Sequence, residues 1–127
     1  MKQKIHFLFM LLLMIIVGAG GHAFAATTYK LQKVTSVEVG GLYVFEQAGH
    51  VAINTISSSA LQTVAEYKTT GLTGSENYVW ELKKGTNGFK ISSKAKVSNE
   101  ITNNSSTNIT LSAEGSQWFF NFQDDVR

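Results

Sequence analysis

The chain has 127 residues, with 11 Lys and Arg against 9 Asp and Glu, three His, and neither cysteine nor proline. That length sets one small domain as the ceiling. The missing cysteine excludes disulfide scaffolds, cysteine zinc sites, iron–sulfur clusters, thiol nucleophiles and the lipid-bearing cysteine of a bacterial lipoprotein.

At the start, Lys2 and Lys4 precede an apolar run over 7–17, followed by Gly18, Ala19, Gly20, Gly21 and the triplet Ala23-Phe24-Ala25. This order predicts a helical secretory signal peptide over 1–25, cleaved between Ala25 and Ala26. The run falls well short of the roughly 20 apolar residues that a membrane-spanning helix needs. The expected location is therefore secreted, periplasmic or cell-surface, with no stable membrane span after cleavage. Losing Lys2 and Lys4 leaves nine basic against nine acidic residues, so the sequence pI near 8.9 is no argument for a polyanionic partner.

Residues 26–127 are expected to form a single all-β domain. Roughly two-fifths of them are Ser, Thr, Asn or Gly, set between short β-branched and aromatic runs, the pattern of antiparallel strands joined by polar turns. In order, strands are expected over 29–34, 41–46 and 50–54, with Gly40-Gly41 as punctuation between the first two. After Ser57-Ser58-Ser59 comes 60–67, a fourth strand whose Leu61, Val64 and Ala65 also fit a helical turn. A loop over 68–76 leads into a hairpin over 78–92. There Tyr78, Trp80, Leu82, Phe89 and Ile91 share one face, and the chain reverses through Gly85-Thr86-Asn87-Gly88. Strands over 95–101, 108–112 and 118–122 follow, the last with Trp118, Phe120 and Phe122 facing one way.

Asp124-Asp125 then signals a turn, but the chain stops two residues later. The expectation is a domain incomplete at its C-terminal end, with an open apolar edge at Phe122 that more chain or a partner strand would cover. YVWELKKGTNGFKI at 78–91 and WFFNFQDDVR at 118–127 echo each other as aromatic strands entering polar turns. Repeated hairpins of this kind build a small antiparallel β-barrel, with a β-trefoil-like fold or a β-sandwich as alternatives.

The sequence YKLQKVTSVEVGGLYVFEQ, then YVWELKKGTNGFKISS, then LSAEGSQWFFNF resembles a β-barrel domain of secreted proteins from gut-type Gram-negative bacteria. The resemblance spans most of 29–122 and rests on hydrophobic placement. It implies a barrel that is appended to other modules or stands alone without assigned activity, and the stop at Arg127 departs from it.

Catalytic chemistry fails on inventory. His50 is the only histidine after position 25, no serine is marked by a G-x-S-x-G elbow, and one histidine with scattered glutamates makes no zinc site. Paired carboxylates could hydrolyse glycosides, yet Glu46, Glu66, Glu81 and Glu100 read as single solvent-facing charges. No phosphate loop or calcium loop is present. The expectation is a non-enzyme without cofactor or metal.

Two surface features remain. Lys83, Lys84, Lys90, Lys94 and Lys96 form a run without an acidic residue. Lysines on exposed strands block edge-to-edge aggregation, and the lack of interleaved stacking aromatics argues against nucleic acid. Trp80 and Trp118 alternate with core residues and read as buried, which leaves Tyr43 and Phe119 as the aromatics expected to be exposed, although the run around Tyr43 is apolar on both sides and also fits a buried strand. Sugar rings stack on such side chains while Asn, Gln and Glu bond their hydroxyls. The resulting expectation is a binding or interaction module for polysaccharide or glycan through Tyr43, Phe119, Lys90, Lys94 and Lys96. Its alternative is a structural component of the cell surface that joins another surface protein by strand addition.

Overall fold

A computed structural model describes residues 28–105 and 108–122 in full, and the backbone of 3–4 and 11–17. The protein is all-β, with no helix among the described residues. Among the described residues, twelve strands follow in chain order: β1 Gln3–Lys4, β2 Leu11–Val17, β3 Tyr29–Lys33, β4 Leu42–Gln47, β5 His50–Ser57, β6 Ala60–Val64, β7 Thr70–Leu72, β8 Trp80–Lys84, β9 Phe89–Ser93, β10 Glu100–Asn103, β11 Ile109–Ser112 and β12 Trp118–Phe119. Every pairing is antiparallel except the short one between β1 and β12.

Hairpins build the architecture. The ladder runs β6-β5-β4-β8-β9-β10-β11, and the Ile109 N–H then donates to the Ser59 carbonyl at 2.9 Å, bringing β11 back to the β5–β6 turn. This return curls the ladder into a small barrel-like ring. The turns that make it are tight. Ala48 and Gly49 between β4 and β5 have φ of 53° and 82°, and Ser58 and Ser59 between β5 and β6 have 53° and 64°. Positive φ at both central residues is the turn geometry whose twist matches that of paired strands.

Two cores result, because β4 is apolar on both faces. Tyr43 points into the ring with Trp80, Leu82, Ile91, Ile101 and Trp118, joined by Phe45, Phe89 and Phe120 at its margin. Val44 points the other way, into a cluster with Val51, Leu72, Tyr78 and Val79 that Tyr29 and Leu31 of β3 help to cover. The polar atoms inside are paired. The Trp80 indole donates to the Ala52 carbonyl at 3.2 Å, the Trp118 indole donates to the Ile101 carbonyl at 3.0 Å, and the Asn54 amide donates to Ser93 Oγ at 2.8 Å. Burying those groups unpaired would cost ~1–3 kcal/mol each. Gly88 is required where β12 meets β9, since a Cβ there would stand 2.6 Å from the Trp118 carbonyl oxygen.

Several sequence expectations need correction. The helical signal peptide expected over 1–25 is described only at β1 and β2, and both are extended. β2 pairs with β3 on one side and β4 on the other, so the sheet rather than a helix takes up its backbone hydrogen bonds. Ala25 and Ala26 lie outside the described residues, as do 123–127. Within 68–76, read as loop, β7 pairs with β3 across a bulge because Leu72 is fully buried in the second core and Gly71, at φ 68°, supplies the kink. The strand expected over 95–101 begins only at Glu100. Before it, Ser93 Oγ accepts the Lys96 N–H and the Ser92 hydroxyl donates to the Val97 carbonyl, a local network that replaces a ladder. Tyr78 does not share the Trp80 face, because the chain turns at Glu76–Val79 and delivers it to the second core. The strand expected over 118–122 is regular only at Trp118–Phe119.

Candidate functional site

The β3–β4 connection is where polar side chains and a concavity coincide. Val34 and Val37, three residues apart, pack against the first core and pin the loop. Its far end joins the sheet, with the Gly40 N–H donating to the Leu82 carbonyl at 2.7 Å and the Leu82 N–H donating to the Gly41 carbonyl at 3.1 Å. Gly41 is needed beside the Tyr43 ring, which a Cβ at that position would strike. Between these anchors lies a cavity of about 360 Å³ lined by Gln32, Lys33, Thr35, Ser36 and Glu38 over Val34, Val37 and Tyr43. An amide, an ammonium, two hydroxyls and a carboxylate thus surround an apolar floor.

Tyr43 was expected to be exposed, and the structure corrects this. Only 1 % of it is accessible. The ring fills the first core because β4 alternates it with Val44, while the hydroxyl reaches the cavity edge and accepts the Glu38 N–H at 2.9 Å. Burial raises its pKa; the Glu38 N–H works against the rise and the Glu38 carboxylate adds to it. Phe119, the other aromatic expected at the surface, is half-buried in β12, with its ring edge against Gly88. It lies outside the cavity lining.

The lysine run is also redistributed. Lys90 lies on β9, directly opposite Lys83 of β8, whereas Lys94 and Lys96 sit in the turn before β10 and not on an exposed strand. Carboxylates outside the run come to it in space: Glu114 meets Lys90 at 3.3 Å, and Glu81, on the strand beside β9, meets Lys94 at 3.9 Å. Lys83, Lys84 and Lys96 have no ion pair among the described residues. None of the three lysines singled out lines the cavity with Tyr43.

Three other glutamates hold turns, whereas Glu66 is exposed. Glu46 Oε2 accepts the Gly49 N–H and the Tyr67 hydroxyl, and burial together with that carboxylate raises the Tyr67 pKa. Glu76 clamps the turn after β7 by accepting the Thr73 and Gly74 N–H groups, with Lys68 at 3.9 Å. Burial pushes its pKa up, but those N–H groups and the Lys68 ammonium outweigh burial, and the net direction is down. Glu100 was expected to face solvent and is instead buried, its Oε1 accepting the Gly115 N–H at 2.7 Å. The exposed His50 ring has its Nδ1 3.2 Å from the Ala48 carbonyl oxygen. No cluster of three metal-ligating side chains occurs among the described residues.

Sequence reasoning missed Gln32, Lys33, Thr35, Ser36 and Glu38 as a group. The available signal was the V-T-S-V-E-V-G-G stretch, in which Val34 and Val37 stand three apart between two strands with Thr35, Ser36 and Glu38 around them. No helix among the described residues is long and apolar enough to cross a membrane. No family model matches the chain, and neither the curated proteins nor the solved structures contain a match to it.

Proposed function

We propose that the protein is an exported, non-catalytic module that binds polysaccharide or glycan, with the cavity of the β3–β4 connection as its site. The observation that carries this reading is the lining itself: Gln32, Lys33, Thr35, Ser36 and Glu38 ring Val34, Val37 and the edge of Tyr43. Sugars offer hydroxyls that both donate and accept, beside apolar C–H faces, and this wall offers donors, acceptors and an apolar floor. Its volume falls at the small end of ligand sites, about 300–1,000 Å³. The anchors at Gly40, Gly41 and Leu82 hold the loop before any ligand arrives, which lowers the ordering cost of binding. Export rests on the basic start, short apolar run and A-x-A triplet within 1–25.

The test is retention on a glycan array and on insoluble polysaccharides. Wild type is expected to be retained on a defined subset. Lys33→Ala combined with Glu38→Gln should weaken retention about tenfold or more, as expected when a polar contact is removed from a small site, with an unchanged unfolding midpoint. Lys83→Ala combined with Lys84→Ala should leave retention intact. Loss of binding in that second pair alone would show that the ligand is a polyanion held by the exposed lysines. Absence of any retention by wild type would end the glycan reading.

A further inference from the structure

The position between β3 and β4 is filled by β2, which comes from the apolar stretch at the start of the chain. β2 runs antiparallel to both neighbours, in register Leu13↔Lys33 through Val17↔Tyr29 on one side and Leu11↔Glu46 through Met14↔Tyr43 on the other. A strand in that position completes two ladders at once. Without it, β3 and β4 would each present a row of unpaired N–H and C=O groups. The position also demands an apolar occupant, because β4 beside it is buried on both faces, Tyr43 toward one core and Val44 toward the other. Leu11–Val17 reads LLLMIIV, the continuous apolar run typical of a strand covered on both sides.

The same stretch is the apolar part of the proposed signal peptide. We infer that β3 and β4 flank a strand-acceptor slot, which β2 fills in the unprocessed chain and an apolar strand of a different protein fills once residues 1–25 are removed. A second copy of this chain is a poor donor. Over 28–122 the longest apolar run is Leu42-Tyr43-Val44-Phe45, and it already forms β4. Strand addition of this kind draws affinity from main-chain hydrogen bonds and specificity from the alternating side-chain positions. Loss of β1 with residues 1–25 would also uncover one side of β12, but only over the two residues Trp118 and Phe119 that pair with it, so the partner site moves from the Phe122 end to the longer edges of β3 and β4. The inference depends on the export reading, and the slot shares Gln32, Lys33 and Tyr43 with the rim of the glycan cavity.

The experiment expresses the full chain with its own N-terminus, purifies the exported protein and determines its first residue by intact mass. The expected species begins near Ala26. It is then titrated with a synthetic peptide of residues 11–17 flanked by lysines, against the same peptide carrying Met14→Pro, since proline is excluded from central strands. Expected results are saturable one-to-one binding of the first peptide only, a rise in Tm of about 5 °C or more at tenfold excess over Kd, and new amide-exchange protection across Tyr29–Lys33 and Leu42–Gln47. An exported protein that still carries residues 11–17 would overturn the inference, because the slot would be closed in cis. Equal binding of both peptides, or no binding, would overturn it as well. Concentration-dependent self-association that blocks the peptide would assign the slot to a second copy. Glycan retention is scored separately, so either reading can fail alone.

Discussion

The two sides of β4 show how one short run serves two different interiors. On one side Tyr43 meets two tryptophans and three aliphatic side chains inside the ring, a core rich in large rings with indole N–H groups that need acceptors. On the other, Val44 meets a smaller cluster assembled from strand ends and turns, in which Leu72 comes from a three-residue strand and Tyr78 from a bend. Hairpin geometry holds the first region together, and side chains that tie down loops hold the second. The Tyr78 hydroxyl accepts the Lys68 N–H at 3.0 Å, and Tyr67 packs edge-on against Tyr78.

The largest expected effect belongs to the first region. Trp80 is fully buried, and Trp80→Ala removes the ring that contacts Phe45 and leaves the Ala52 carbonyl without its donor. A loss of ~3–5 kcal/mol is expected in urea unfolding. Leu72→Ala in the second region should cost ~2–4 kcal/mol, since β7 is short enough to shift and partly fill the space. If Leu72→Ala proves costlier than Trp80→Ala, the second cluster is the main core and the ring is secondary to it.

How far each region was legible follows the same division. The first was readable because its residues alternate within regular hairpins: Trp80 and Leu82 with Ile91 are a period-two pattern that admits one reading. The second was not, because Leu72 sits among Thr, Gly and Ser and is drawn inward by a bulge at Gly71, and Tyr78 leaves its strand's alternation at a turn. Tyr43 illustrates the limit from another direction. In a run apolar at every position, periodicity cannot assign a face, and both faces turned out to be buried. The cavity was illegible for a related reason, since Gln32 and Glu38 lie six residues apart and only the anchoring of Gly40 to Leu82 folds them around one space. The ion pairs of Lys90 and Lys94 likewise depend on strand neighbours that a linear reading does not bring together.

Acid should separate the two regions next. Glu76 has a folded-state pKa below its unfolded value, so the unfolded chain takes up the proton more readily. Its contribution is therefore complete above the ordinary carboxylate pKa and is lost as pH falls through the lowered folded value. Glu76 secures the turn that follows Leu72, so acid should loosen β7 and its neighbours before the ring. Amide exchange followed from neutral to acidic pH should show protection at Leu72 falling ahead of protection at Leu82 and Ile91. Glu76→Gln should flatten the difference. Tyr43 and Tyr78 have raised folded values, burial being the first cause in both. Their contributions are present below the ordinary tyrosine pKa and fade as pH rises through the folded values, so alkali weakens both regions together. Simultaneous loss in acid would show that the Glu76 clamp does not distinguish them.

The smallest effect concerns the turn that fixes which residues belong to which region. Gln47 pairs with His50 across Ala48-Gly49, and a one-residue slip there would exchange the faces of β5 and move Val51 out of the second core. Ala48 holds φ at 53°, where an L side chain costs ~1–2 kcal/mol. Glycine removes that strain and adds ~0.5–1 kcal/mol of unfolded-state entropy against folding. Ala48→Gly should therefore stabilise the protein by about 0.5 kcal/mol, and Ala48→Asn, which tolerates the same backbone at a smaller entropic cost, by slightly more. Thermal unfolding of the two variants beside wild type resolves the sign. A destabilised Ala48→Gly would mean that the alanine methyl supports the turn, and the register between the two regions would then depend on that contact and not on backbone geometry alone.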